Sequence, residues 1–293
     1  MEIIVSHLSA LNYWRHFTGN IATLKRMHRS TAATEPGRFT GDILDELHAF
    51  GFAATAEHPI DLLSADQKRR HRSSVVRAHV SSASYPDGTF IRLSERILIV
   101  SPELAFIQAE SLPYGQLLLA GCQLCGTYAF TGPKNHLTER PPLTSPADIR
   151  DYLALCPAGI VGRKARRAAK HLPGNAASPQ EARLALLLTL PHAQGGYALL
   201  EPTLNPPIIL DDAARAIYGH SPCYPDLYWA SAQLAVEYDG RESHAGRSDE
   251  DIARVARKTG ASLREVSLLA LSAGKEGERT AETINFLKRR FRT

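Results

Sequence analysis

The chain has 293 residues, 44% hydrophobic and 22% charged, with a formal net charge of +4. That is ordinary globular composition at a length favouring two domains. No apolar run approaches the roughly 20 residues of a membrane span, and residues 1–7 lack a basic region ahead of a long apolar core, so a cytoplasmic protein without membrane partners is expected. Cys122, Cys125, Cys156 and Cys223 are too few and too scattered for a disulfide framework. The charge is uneven. Residues 1–174 carry 20 Lys and Arg against 15 Asp and Glu, a net +5; residues 175–293 carry 14 against 15, a net −1.

In chain order, Leu8, Leu11 and Tyr13-Trp14 predict a short amphipathic helix. A break rich in Thr, Gly and Pro follows over 31–41. Residues 42–50 read as a helix with Ile43, Leu44 and Leu47 on one face and Gly51 as its stop. Ile60, Leu62 and Leu63 begin a strand. Residues 66–74 are strongly basic, either a solvated loop or a phosphate contact. Residues 75–80 are strand-like, Tyr85-Pro86-Asp87-Gly88 is a turn, and 89–100 give two more short strands. Ser101 then caps a helix with Pro102 at its first position.

Cys122-Gln-Leu-Cys125 sits in an apolar run without two further zinc ligands at a readable spacing, so these cysteines read as small buried hydrophobes. Residues 131–146 look like an exposed loop, and Ser145 caps a helix reaching Leu155. Residues 162–172 carry five cations. Arg163, Arg166, Arg167 and Lys170 share one helical face, either a solvated face or a ridge that tracks a nucleic-acid backbone. Pro173-Gly174-Asn175 breaks the chain. The boundary is placed there, with an α+β domain over 1–174, regulatory or DNA-binding, and a second domain over 175–293.

In the second domain, Ser178-Pro179-Gln180-Glu181 is a capping-box pattern, with Leu184, Leu187 and Leu188 as the buried stripe. Glu181 is therefore a cap, a site residue, or both. Gly195-Gly196 turns the chain, and 197–200 predict a strand. Two further strands follow across 224–239. Asp226 opens the first of them, after Pro225. In the second, Leu234, Val236 and Tyr238 alternate with Ala235, Glu237 and Asp239, which puts Glu237 and Asp239 on one face. A hairpin across 230–233 brings Asp226 towards them. Three converging carboxylates repel unless a cation lies between them, and oxygen-only ligands suit Mg²⁺ or Mn²⁺. Ser248 caps a later helix, with Asp251, Arg254 and Lys258 on its outer face. A strand is expected over 263–267, and a last helix begins near Thr280.

The ordered set Pro225-Asp226, Glu237-Tyr238-Asp239-Gly240, His244, Asp251-Ile-Ala-Arg254 and Gly260, with Glu181 ahead of it, resembles the PD-(D/E)XK nuclease superfamily. It is most similar to the very-short-patch-repair-like endonucleases. The resemblance covers about residues 175–293. It implies a restriction-endonuclease-like domain, a three-layer α/β arrangement with a mixed sheet of four or five strands, cleaving DNA with Mg²⁺ or Mn²⁺. It further implies Asp226 and Glu237 as metal ligands, with the Tyr238 carbonyl beside them. Asp239 is either a further ligand or the partner of His244, which would act on the attacking water or the leaving group. Asp239 stands where the broader superfamily has a lysine, and Arg254 and Lys258 are candidates for a phosphate contact in its place.

The region before Pro173 resembles amino-terminal regions of abortive-infection antitoxin-like proteins, which fits phage defence, DNA repair or a toxin–antitoxin setting. The alternative is a catalytically inactive nuclease-fold protein that binds DNA and regulates.

Overall fold

The computed structural model describes residues 2–34, 39–68, 73–132, 136–157, 159–209, 212, 215, 221–232, 234–239 and 267–272, with positions 237, 239 and 267–272 described by backbone alone. The class is mixed α/β. The chain divides into two compact units, Met1–Leu172 and Pro173–Thr293, the division falling at the start of the Pro173-Gly174-Asn175 break.

Unit 1 is built on a six-stranded mixed sheet. Its strands are β1 (Ile3–Val5), β2 (Lys25–Met27), β3 (Ile60–Ser64), β4 (Val76–Val80), β5 (Phe90–Arg92) and β6 (Ile97–Val100), in the order β2-β5-β6-β1-β3-β4. The apolar run Ile3-Ile4-Val5 pairs in parallel with β6, and its Val5 faces Leu62 of antiparallel β3. These three strands are buried throughout, as expected for strands covered on both faces. The edge strands β2 and β4 are partly exposed and carry Lys25, Arg26 and Arg77, charges that discourage edge-to-edge pairing.

Among the described residues this unit carries the helices α1 (His7–His16), α2 (Gly41–Ala49), α3 (Pro102–Gln108), α4 (Tyr114–Leu124), α5 (Pro146–Leu155) and α6 (Arg163–Ala169). α1 buries Ala10, Leu11 and Trp14, and the Trp14 indole N–H donates to the Val100 carbonyl at 2.8 Å. Ser101 caps α3 and Ser145 closes a capping box with Asp148, both as the sequence predicts. α4 starts after Pro113 with no side-chain cap to announce it in the sequence. Cys122 and Cys125 lie at its end, free and fully buried, and burial pushes the Cys122 thiol up to about 12. The loop expected over 131–146 instead holds strand β8 (His136–Glu139), paired with β7 (Tyr128–Thr131). A composition rich in Pro, Thr and polar residues suggests a loop there; cross-strand pairing decides otherwise, for example through the Thr131–Thr138 hydroxyl contact at 2.8 Å.

One buried carboxylate joins three elements of this unit. Asp61 of β3 has a side chain 4% exposed. Its Oδ2 accepts the Ser9 N–H and hydroxyl in the first turn of α1, at 3.2 and 3.1 Å. Its Oδ1 accepts from His79 of β4 at 2.8 Å, with Arg77 at 3.5 Å. Ser6, the residue before α1, makes no side-chain cap, so Asp61 supplies the anion at the helix N-terminus from another strand. His7 turns the chain there at φ 51° and stacks on His79 with ring centroids 3.5 Å apart. Burial, then the neighbouring His79, push the His7 imidazole down to about 4.

Unit 2 has a four-stranded mixed sheet in the order β12-β11-β10-β9, from β9 (Thr203–Leu204), β10 (Leu227–Trp229), β11 (Leu234–Asp239) and β12 (Ser267–Ser272). β9, β10 and β11 are antiparallel, and β12 runs parallel to β11. α7 (Pro179–Thr189) precedes the sheet, capped by Ser178. Its buried stripe includes Leu184, Leu186 and Leu188, while Leu187, expected inside, is exposed. The strand expected over 197–200 is not formed. Those residues instead cap α7: the N–H groups of Tyr197, Ala198 and Leu199 donate to the carbonyls of Leu187, Leu190 and Leu188, which the helix leaves unpaired. Of the strand expected over 263–267, Ser267 opens β12, and residues 263–266 lie outside the described residues. Among the described residues no helix is long and apolar enough to cross a membrane.

The Asp61 carboxyl would be raised by burial, but the His79 and Ser9 hydrogen bonds and the nearby cations hold it below its ordinary range. Its stabilising contribution is therefore full above about pH 4 and is lost as pH falls through the lower folded value. Asp61→Asn should cost unit 1 about 1.5–3 kcal/mol at pH 7, because an amide replaces the buried charged acceptor of the Ser9 and His79 hydrogen bonds. The difference from wild type should shrink towards pH 2. Denaturant melts in a Trp229→Phe background, which leaves Trp14 as the only tryptophan, measure this; a difference independent of pH would remove Asp61 from the role.

Candidate functional site

The hairpin of β10 and β11 sets the site. Leu227, Tyr228 and Trp229 face Val236, Ala235 and Leu234 across a 3-10 turn at Ala230–Ala232. One step outward, the same register places Asp226 opposite position 237. Leu227 and Trp229 are buried anchors, and the Trp229 indole N–H donates to the Leu200 carbonyl at 2.7 Å. The predicted hairpin is thus present, and it brings Asp226 beside the strand that carries Glu237 and Asp239.

Asp226 is largely withdrawn from water. Its Oδ2 accepts the Tyr238 N–H at 2.6 Å, the one hydrogen bond this carboxyl makes among the described residues. On its other side, the Asn205 N–H donates to the Asp226 carbonyl at 3.2 Å. Burial raises the Asp226 carboxyl, the Tyr238 N–H partly opposes this, and the negative charge of Glu181 adds to it, leaving the group at about 7. A carboxyl there titrates near neutrality.

Glu181 is 8% exposed and its oxygens are well supplied with donors. Oε2 accepts the Ala177 N–H at 2.8 Å and the Asn205 amide at 2.7 Å, and Oε1 accepts the Ser178 hydroxyl at 2.8 Å. The capping role expected of Glu181 is therefore present. The charge of Glu181 also reaches Asp226.

Asn205 was not singled out from sequence. It sits in the left-handed region at φ 47°, a conformation asparagine tolerates better than most residues. Its amide bridges Glu181 and the carbonyl of Asn175, itself at φ 60°. The dipeptide Asn205-Pro206 was the available signal, since Asn before Pro marks a turn. It gave no hint of the partners.

Positions 237 and 239 lie two residues apart in β11, their backbones paired with Ala270 and Ser272 of β12. Among the described residues no group of three His, Cys, Asp or Glu side chains is placed to hold a metal ion. Gly240, His244, Asp251, Arg254, Lys258 and Gly260 lie outside the described residues. Arg163, Arg166 and Arg167 of α6, and Lys170 at its C-cap, belong to unit 1, whereas the carboxyls belong to unit 2. Comparison with protein-family models, curated proteins and solved structures finds no match.

The raised Asp226 carboxyl makes a pH prediction. Its protonated form favours the native state, so its contribution is complete below about pH 4 and is lost as pH rises through about 7. Asp226→Asn keeps an acceptor for Tyr238 without the charge. In a Trp14→Phe background, with Trp229 reporting on unit 2, this variant should be more stable than its parent at pH 8 by on the order of 2–4 kcal/mol, with the gap closing towards pH 4. Glu181→Gln should lower the midpoint of the Asp226 titration. Parallel pH–stability curves for Asp226→Asn and its parent would contradict the assignment.

Proposed function

We propose that unit 2 is a divalent-metal-dependent endonuclease of the PD-(D/E)XK kind, acting on DNA. The observation that carries this reading is the Asp226 carboxyl. It lies at the end of a hairpin strand, in register with position 237, withdrawn from water, and beside a second carboxylate that opposes its ionisation. Folding alone gives no reason to put a carboxyl there; a cation beside it would reverse the penalty. The mixed sheet, with antiparallel β9, β10 and β11 and a parallel β12, is compatible with a restriction-endonuclease-like arrangement.

The donors fit the ion. Asp226, Glu237, Asp239 and the Tyr238 carbonyl offer oxygen alone, which suits Mg²⁺ or Mn²⁺ over softer metals. Bound there, such an ion supplies charge neutralisation at the phosphate and a more acidic water. The chain's residues do the rest. Asp226 and Glu237 orient the site from facing strands. Glu181 fixes Asn205, and through it the Asp226 backbone. His244 accepts the proton of the attacking water or protonates the leaving oxygen. Arg254 and Lys258 contact the scissile phosphate.

The test is Mg²⁺-dependent cleavage of single- and double-stranded DNA. Asp226→Asn should lower the rate by about 100-fold or more and abolish Mg²⁺-induced thermal stabilisation, since the anionic ligand is gone. His244→Ala should slow cleavage by about 100-fold while Mg²⁺ still stabilises the fold. Wild-type protein that binds DNA, yet neither cleaves it nor gains stability from Mg²⁺ or Mn²⁺, would overturn this reading in favour of a non-catalytic regulatory protein.

A further inference from the structure

The cations of residues 163–170 serve two separate ends. Lys164 is turned inward, where its Nζ donates to the Leu112 carbonyl at 2.8 Å and to the Glu110 carbonyl. The Glu110 carboxylate accepts the Ala165 N–H at 2.8 Å and so closes the start of α6. It lies so near that a Cβ on residue 162 would fall 1.7 Å from its Oε2, so a side chain there would displace the carboxylate from the start of α6. Ala165, Ala168 and Ala169 complete the docked face. The helix is therefore fixed in rotation, and Arg163, Arg166, Arg167 and Lys170 are all exposed on the other side.

Among the described residues none of these four forms an ion pair. Their spacing of three and four residues sets like charges next to one another, which destabilises a helix. No ion pair among the described residues offsets that repulsion. Arg167 is further held flat, its guanidinium 4.0 Å from the centre of the Tyr114 ring, which leaves its N–H edges available to a planar or tetrahedral anion.

We propose that this ridge of unit 1 binds the phosphodiester backbone of a nucleic acid, through charge and without reading bases. Four cations within eight residues span about 10 Å along the helix axis. Duplex DNA offers one charge per about 1.7 Å of axis, so that length presents enough phosphates to engage all four. The exposed side chains of α6 include no apolar group to enter a bilayer, which a membrane-surface helix requires. The proposal stands whether or not unit 2 cleaves its substrate.

The experiment is binding of a labelled duplex of about 20 base pairs to the full chain in EDTA, over roughly 50–300 mM NaCl. Each phosphate contact contributes about 0.9 to the slope of log K against log salt. The variant R163Q/R166Q/R167Q/K170Q should lose about 2–4 from that slope, and lose it equally on two unrelated sequences. R163K/R166K/R167K, which keeps the charge, should retain the slope. Far-UV circular dichroism and Trp14 emission report folding. Should the quadruple variant unfold, R163Q/K170Q, which leaves the Arg167–Tyr114 stack intact, should lose about 1–2. An unchanged slope in a folded variant, or a loss confined to one sequence, overturns the proposal. So does stronger competition by polyglutamate or by phosphatidylserine vesicles than by duplex at equal charge, which would assign the ridge to an acidic protein or a lipid surface. No cleavage is measured, so failure of the nuclease reading leaves the result intact.

Discussion

Because Leu227 pairs with Val236 in antiparallel register, the residue one step outward, Asp226, stands opposite position 237 and within reach of the Tyr238 N–H. A slip of one residue would turn Leu227 and Trp229 out of the core and break this alignment. The register is held from both sides. Leu227 also faces Leu204 of β9, and Trp229 is tied to the Leu200 carbonyl. Apolar burial in the hairpin therefore positions the most perturbed carboxyl described in unit 2.

Two aspartates show how surroundings decide what a carboxyl does. Asp61 and Asp226 are both withdrawn from water, and burial opposes ionisation in each. Asp61 has a histidine, an arginine and two donors of Ser9 around it, and its pKa falls. It is a finished network that ties α1, β3 and β4 together. Asp226 has one backbone N–H and a neighbouring negative charge, and its pKa rises to about 7. An incomplete set of donors around a carboxyl is costly for folding alone, and such groups gather at functional sites. The sequence writes both residues as a single Asp in a strand context.

The same contrast holds for the cations of α6. Lys164 completes the orphan carbonyls between α3 and α4, whereas its neighbours on the opposite face form no ion pair among the described residues. Unit 1 thus carries an uncompensated positive surface while the candidate carboxyl site lies in unit 2, in line with the net +5 of residues 1–174 against −1 for 175–293.

Local signals in the sequence determined much of the backbone. The caps at Ser101, Ser145 and Ser178 announced their helices because an N-cap is a contact within three residues. Alternation marked β11, and a short connection marked its hairpin with β10. The halves of the chain separated at Pro173-Gly174-Asn175, where the backbone is locally constrained to turn. Tertiary structure decided what depends on distant partners. β8 formed from polar residues because β7 offered it a ladder, and 197–200 gave up a strand to satisfy the end of α7. Asp61 found Ser9 and His79 across 52 and 18 residues, and Asn205 found Glu181 across 24. None of these has a spacing to read, because the hydrogen bonds are closed by packing and not by chain proximity. The sequence alone named Asp226 as a candidate. Only the fold could make its carboxyl titrate near neutrality, since that needs burial and a second charge brought from 45 residues away.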